Sequence, residues 1–179
     1  MTRRYVALLR AVNVGGRKLA MADLRRIAAS CGFTAPRTLL TSGNLVFTSG
    51  LAPGEAGKAL REAILAELGL DTDVFVRDGA QLSATLAANP FPEVARDQPK
   101  WLSVMFLDRE PQASLESLGS ACVRGEQVRG GPESLFVWTP MGIGESKLST
   151  RLIERRLAVR GTSRNWNTVG KLAEALACA

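Results

Sequence analysis

The chain has 179 residues, 46% of them apolar and 22% charged, with a formal net charge of +6 and no histidine. A chain of this size and composition can bury a core without disulfides or metal, as one domain or as two small lobes. The missing histidine removes the commonest general base and the commonest metal ligand, which excludes Ser-His-Asp triads, Cys-His dyads and histidine-ligated zinc hydrolases.

The opening MTRRYVALLRAVNVGG begins like a signal peptide, with two arginines, but Arg10 breaks the apolar run and no small-residue cleavage site precedes the polar loop at Asn13. No run approaches the roughly 20 apolar residues of a membrane span. A cytoplasmic protein with no membrane partner is expected. Cys31, Cys122 and Cys178 are scattered and never form a C-x-x-C pair, the pattern of reduced thiols. Each reads as a small apolar filler, with a nucleophilic role as the alternative. The charge is uneven: residues 1–26 and 147–171 each carry +6, and the rest of the chain carries −6. If the two basic segments meet they form one positive face suited to phosphates or nucleic acid; otherwise they are separate solvated surfaces.

In chain order, residues 5–12 (YVALLRAV) form a β-compatible run ended by the glycines of NVGGRK. From residue 20 to 31, Met21, Leu24, Ile27 and Ala28 recur at helical spacing. Gly32 closes that helix, and TLLTSGNLVFT places two β-rich runs around Ser42, Gly43 and Asn44, as in a tight hairpin. Leu60, Ile64, Leu65 and Leu68 mark a second helix, stopped by Gly69, and DTDVFVR supplies another strand. This β-α-β-β-α-β order predicts a ferredoxin-like half over residues 1–77, an antiparallel sheet with both helices on one face.

Residues 78–99 read as a helix capped by Asp78 and then an irregular linker, because NPFPEVARDQP holds three prolines. The remaining half, residues 100–179, restarts with the strand WLSVMFL. A helix over 112–121, strands over 126–129 and 134–139 around a Gly-Gly-Pro turn, and a helix over 148–157 follow. The fold class is therefore α+β, two ferredoxin-like-related halves, βαββαβ and then βαββα plus a C-terminal helix. The shared order is what a duplication produces, although no residue-level repeat is visible.

Four polar segments stand out. Asn13, Val14, Gly15, Gly16, Arg17 and Lys18 lie between strand and helix, where glycines let backbone N–H groups converge on an anion; a turn with solvated cations is the other reading. Ser42, Gly43 and Asn44 suit a turn and can also present hydrogen bonds from a hairpin tip. Gly142, Gly144, Ser146 and Lys147 precede a helix, with Ser146 as an N-cap and Lys147 placed against the helix dipole, a conflict that a bound anion relieves. Arg164, Asn165, Trp166 and Asn167 precede the last helix and suit an anionic or stackable ligand, unless Trp166 folds back as an apolar anchor. Arg151, Arg155, Arg156 and Arg160 give a further helix an arginine-rich side. The aromatic-studded sheet of RNA-binding ferredoxin-like domains is not evident.

Taken together, LLRAVNVGGRKLAMADLR, GFTAPRTLLTSGNLVF, GIGESKLSTRLIERRL and TSRNWNTVGKL resemble, in that order, the bacterial domain-of-unknown-function 1697 family, over nearly the whole length from Tyr5 to Leu176. The resemblance implies a cytoplasmic bacterial α+β protein and no settled activity. Its motif positions fall here on Arg10, Asn13, Gly15, Gly16, Ser42, Gly43, Asn44, Ser146, Lys147, Arg164, Asn165, Trp166 and Asn167.

The residues favour a binding protein for a nucleotide, nucleic acid or other phosphate-bearing ligand, using Arg10, Asn13, Gly15, Gly16, Arg17, Ser42, Asn44, Lys147, Arg164, Asn165, Trp166 and Asn167. No cofactor or metal is expected. One alternative is an enzyme acting on a small anionic substrate, with Lys147 and Ser146 as catalytic candidates. Another is an interaction module whose polar loops are structural, Arg164 and the asparagines bonding backbone.

Overall fold

The computed structural model describes residues 2–13, 15, 16 and 18–177. The chain divides into two units, Met1–Leu82 with Leu172–Ala179, and Ser83–Lys171.

In the first unit the elements run β1 (Arg3–Leu9), α1 (Met21–Ser30), β2 (Thr34–Leu39), β3 (Asn44–Ser49), α2 (Pro53–Leu68) and β4 (Val74–Asp78). Their sheet has the order β2-β3-β1-β4, antiparallel throughout, as the ferredoxin-like pattern requires. Alternation decides which residues meet the helices. Tyr5, Ala7 and Leu9 of β1, with Leu45 and Phe47 of β3, pack against Leu24, Ile27 and Ala28 of α1 and Ala56, Leu60 and Ile64 of α2. Phe33 stacks on Phe47 at 4.3 Å between ring centres. Proline in the first turn starts α2, and Gly69, at φ 64°, ends it by donating to the Leu65 carbonyl at 2.9 Å.

The α3 helix (Gly79–Ala87) follows β4 and runs across the division between the units. The second unit continues with α4 (Pro92–Asp97), β5 (Leu102–Leu107), a 3-10 helix (Leu115–Ala121), β6 (Gln127–Gly131), β7 (Ser134–Trp138), a short 3-10 turn (Ile143–Glu145), α5 (Thr150–Leu157) and β8 (Gly161–Asn165). Its sheet order is β6-β7-β5-β8, again antiparallel. Met105, Leu107, Leu135 and Val137 face Leu118 and Ala121 of the 3-10 helix and Ile153 and Leu157 of α5. The C-terminal helix α6 spans Trp166–Ala177.

Three elements differ from the sequence-based expectation. The proline-rich stretch contains α4, because Pro92 stands at the start of a helix, where a missing N–H costs nothing. The segment expected to be a helix from residue 112 forms only a 3-10 helix from Leu115, entered through Ser114, whose hydroxyl accepts from the Glu116 amide at 3.2 Å. Residues 161–165, read as the loop before the last helix, form β8; hydrogen bonding to the buried β5 overrides a weakly apolar sequence. The second half therefore has the complete βαββαβ order.

The strand registers also reveal a residue-level correspondence hidden in the sequence. Val6 of β1 lies opposite Val46 and Arg77, and Arg37 lies opposite Val46. Val104 of β5 lies opposite Phe136 and Arg164, and Arg129 lies opposite Phe136. Each last strand thus places a buried arginine, Arg77 or Arg164, at the same register position. The next residue caps the following helix: the Gln81 amide donates to the Asp78 carboxylate, and the Thr168 amide to the Asn165 carboxamide, each at 2.9 Å.

A methyl group at Gly161 would lie 2.6 Å from Met105 Cε and 2.8 Å from the Phe106 carbonyl oxygen. Gly161→Ala is expected to destabilise the second unit by about 1–3 kcal/mol, read as a lower urea midpoint for the protein.

Candidate functional site

The first unit joins two of the four polar segments. After β1 the chain is held through both backbone groups of Arg10: its amide donates to the Asp73 carbonyl at 2.9 Å, and its carbonyl accepts from Thr72 Oγ1 at 2.7 Å. Asn13 then organises the loop. Its Nδ2 donates to the carbonyls of Leu19 at 3.1 Å and Thr41 at 2.6 Å, and its Oδ1 accepts from the Leu19 amide at 2.9 Å. One side chain therefore closes the glycine loop and ties it to the β2–β3 turn. Gly43 packs so tightly there that a Cβ would stand 2.4 Å from Val12 Cγ2. The buried Asn44 donates to the Leu39 carbonyl and Ser42 Oγ, both at 2.9 Å.

Left-handed backbone is concentrated in these two loops, at Ala11, Asn13, Gly15, Gly16, Leu40 and Gly43. For Ala11 and Leu40 such angles cost of order 1 kcal/mol each, strain that the surrounding hydrogen bonds must over-determine. Beside them lies a cavity of ≈ 490 Å³ lined by Asn13, Gly16, Lys18, Leu19 and Ala20. It reaches the residue preceding α1, and that helix has no side-chain cap at its N-terminus. Asp23 in the first turn is 3.6 Å from Arg26, which it partly neutralises. Lys18 is exposed, and Arg17 lies outside the described residues.

The other two segments lie at one end of the second sheet. The 139–147 loop leaves β7 after Trp138, which is opposite Leu102, and Asn165 at the end of β8 is opposite Ser103. Ser146 does not cap α5. Ser149 does, accepting from the Leu152 amide at 3.2 Å, so the helix begins at Thr150 rather than 148. Ser146 instead donates to Glu126 Oε1 at 2.8 Å and accepts from the Leu148 amide at 3.1 Å. Glu126, missed by sequence reading because nothing distinguishes a single acid before a strand, is buried and also accepts from the Arg124 amide at 2.7 Å. Burial works to raise its carboxyl, but the amides of Arg124 and Glu126, the Ser146 hydroxyl and the Arg124 charge together hold it below the usual carboxylate range. Such a carboxylate is a good acceptor and a weak base, which disfavours proton removal from Ser146. Lys147 is exposed and has no ion-pair partner among the described residues.

Arg164 is buried, and burial pushes its guanidinium down to about 10, so it stays charged near neutrality. It donates to Thr162 Oγ1 and to the Ser163 carbonyl, both at 2.8 Å. Trp166 is half-buried with its ring 6.5 Å from that of Phe136, an apolar anchor, while Asn167 is exposed. Burial raises the Cys31 and Cys122 thiols, assisted by Glu67 and Glu126 respectively, which leaves little nucleophilic thiolate. Cys178 lies outside the described residues. Among the described residues no group of acids and cysteines is arranged to hold a metal ion, and no helix is long and apolar enough to cross a membrane.

A family model described as "Protein of unknown function (DUF1697)" matches residues 1–136. Among solved structures, that of the conserved bacterial protein SP0830 from Streptococcus pneumoniae is similar, with a TM-score of 0.72 and 19% identity over 99% of each chain. At that identity the likeness is one of fold. No curated protein matches the chain.

Two stability measurements test these assignments. Asn13→Ala removes three hydrogen bonds and is expected to cost about 1–3 kcal/mol, with faster amide exchange in residues 10–20. For Glu126, a carboxyl lowered on folding contributes stability that is complete above its unfolded value of roughly 4.3 and lost as pH falls through the lower folded value. Melting temperature should therefore drop below about pH 5 less steeply in Glu126→Gln than in the unmodified protein.

Proposed function

The chain belongs to the DUF1697 family of proteins of unknown function, and from that premise we propose that its first unit binds the phosphate of a nucleotide, nucleic acid or other phosphate-bearing ligand. The observation that carries this reading is the cavity of ≈ 490 Å³ between the glycine loop and the start of α1. An uncapped helix start offers unpaired backbone N–H groups and a partial positive charge, and Lys18 adds a full one. Gly16 allows a ligand to approach the backbone where a side chain would intrude. The strain held at Ala11 and Leu40 supports a loop shaped for more than connection. Such a ligand is met in the cytoplasm, the location proposed for the protein.

A second reading rests on a different observation. Asn13, Asn44, Ser146 and Asn165 all use their side chains on the protein's own loops and helix starts. This supports an interaction module in which these polar residues are structural. The two readings separate in solution.

Titration of the protein with inorganic phosphate, a mononucleotide, single-stranded DNA and RNA at two salt concentrations is expected to show binding that weakens with salt. Lys18→Glu should weaken it by about tenfold or more. Absence of salt-sensitive binding by the nucleotide and nucleic acids at micromolar concentration would overturn the phosphate-binding reading and favour the interaction module.

A further inference from the structure

A different cavity, independent of the glycine loop, lies on the sheet of the first unit. It measures ≈ 250 Å³ and is lined by Arg4, Ala35, Arg37, Val46, Phe47 and Thr48. We propose that it is a second ligand site, specific for a small molecule whose carboxylate or phosphate group is gripped by Arg37 in a cavity that Arg4 also lines.

The register explains the geometry. Arg4 is opposite Thr48 and Arg37 is opposite Val46, so the two arginines flank β3 from β1 and β2. Both belong to the set that alternates away from the Tyr5, Leu45 and Phe47 core, and hence lie on the sheet face without α1 and α2. Two strand spacings and two residues of stagger put their Cα atoms roughly 12 Å apart. Both line the same cavity, and the exposed Arg37 presents a planar guanidinium of the kind that grips an oxyanion bidentately.

The backbone at this spot is irregular in a way that serves the same end. The β2–β3 register shifts between Thr34 and Arg37, and Ala35 inside the strand has φ 50°. A bulge re-aims the side chain that follows it, and a strained alanine persists only where surrounding contacts require it.

The corresponding position in the second unit shows what an arginine does here when it is structural. Arg129 donates to the Val128 carbonyl at 3.0 Å and to Gln127 Oε1 at 3.1 Å, and lies 5.9 Å from the centre of the Phe91 ring. Arg37 is exposed and has no hydrogen-bond or ion-pair partner among the described residues. Where Arg4 stands in the first unit, the second has Leu102, opposite Trp138. At this register position the second sheet thus has an arginine held by its own strand, and the first has Arg37 on the wall of a cavity.

Calorimetric titration of the full chain with phosphate, phenyl phosphate, acetate and benzoate at up to millimolar concentration tests the site. The variants are Arg37→Ala, Arg37→Lys and Lys18→Glu, with thermal melts to confirm folding. In the Lys18→Glu background, which removes the glycine-loop contribution, Arg37→Ala should lose at least about tenfold in affinity for the preferred anion, and Arg37→Lys should recover only part of it. Comparing the two phosphates with the two carboxylates identifies which oxyanion is taken. Unaltered binding of every probe by Arg37→Ala, full recovery by Arg37→Lys, or no binding to the unmodified protein would overturn the proposal. Binding lost only in Lys18→Glu would overturn it too, while supporting the glycine-loop site.

Discussion

Each unit depends on a central strand that is hydrogen-bonded on both edges and buried on both faces. Residues 5–9 of β1 and 104–107 of β5 are all at most 3% exposed, with neighbours on each side. Such a strand tolerates no slip, because shifting by one residue exchanges the side chains of both faces. Its fixed register sets which loops share an end of the sheet. In the first unit it places the end of β1 beside the start of β3, so the glycine loop and the SGN turn meet. In the second it places the ends of β7 and β8 together.

Once register has joined two loops, polar side chains complete the join. Asn13 spans the gap in the first unit, and in the second the Glu126–Ser146 pair ties the loop after β7 to the start of β6 at the same end of the sheet. These groups are not simply displayed to solvent; their hydrogen bonds hold strained or irregular backbone in one conformation. A carboxamide that satisfies three backbone groups costs little to order and would leave them unpaired if removed. The same rigidity is what a binding loop needs, since a ligand site fixed in advance loses less conformational entropy on occupation.

The two sheets share one topology and register and differ in what occupies it. Arg77 and Arg164 keep the same register position, and the residues after them keep the same capping role, Asp78 for one helix and Asn165 for the other. At the second strand the framework separates: Arg129 is absorbed by its own strand and Phe91, whereas Arg37 opens on a cavity. A residue type retained at one position can therefore be structural in one copy and available in the other, according to its neighbours.

Periodicity and glycine placement determined the first unit almost completely: strand, helix, hairpin, helix and strand all follow from alternation, helical spacing and the stops at Gly32 and Gly69. They also picked out the polar segments, because Asn and Gly at strand-to-helix junctions are unusual enough to notice. Tertiary structure decided the rest. The β8 strand has too few apolar residues to announce itself and forms because β5 offers it a buried edge. Pro92 begins a helix in a stretch whose prolines spell a linker. The roles of Ser146 and Asn165 depended on whether the nearest unpaired amide was a helix start or a loop, and the importance of Glu126 and Arg37 on neighbours distant in the chain. Local sequence encodes local conformation through sterics and burial pattern, whereas hydrogen-bond partners and cavities arise only when strands far apart are set in register.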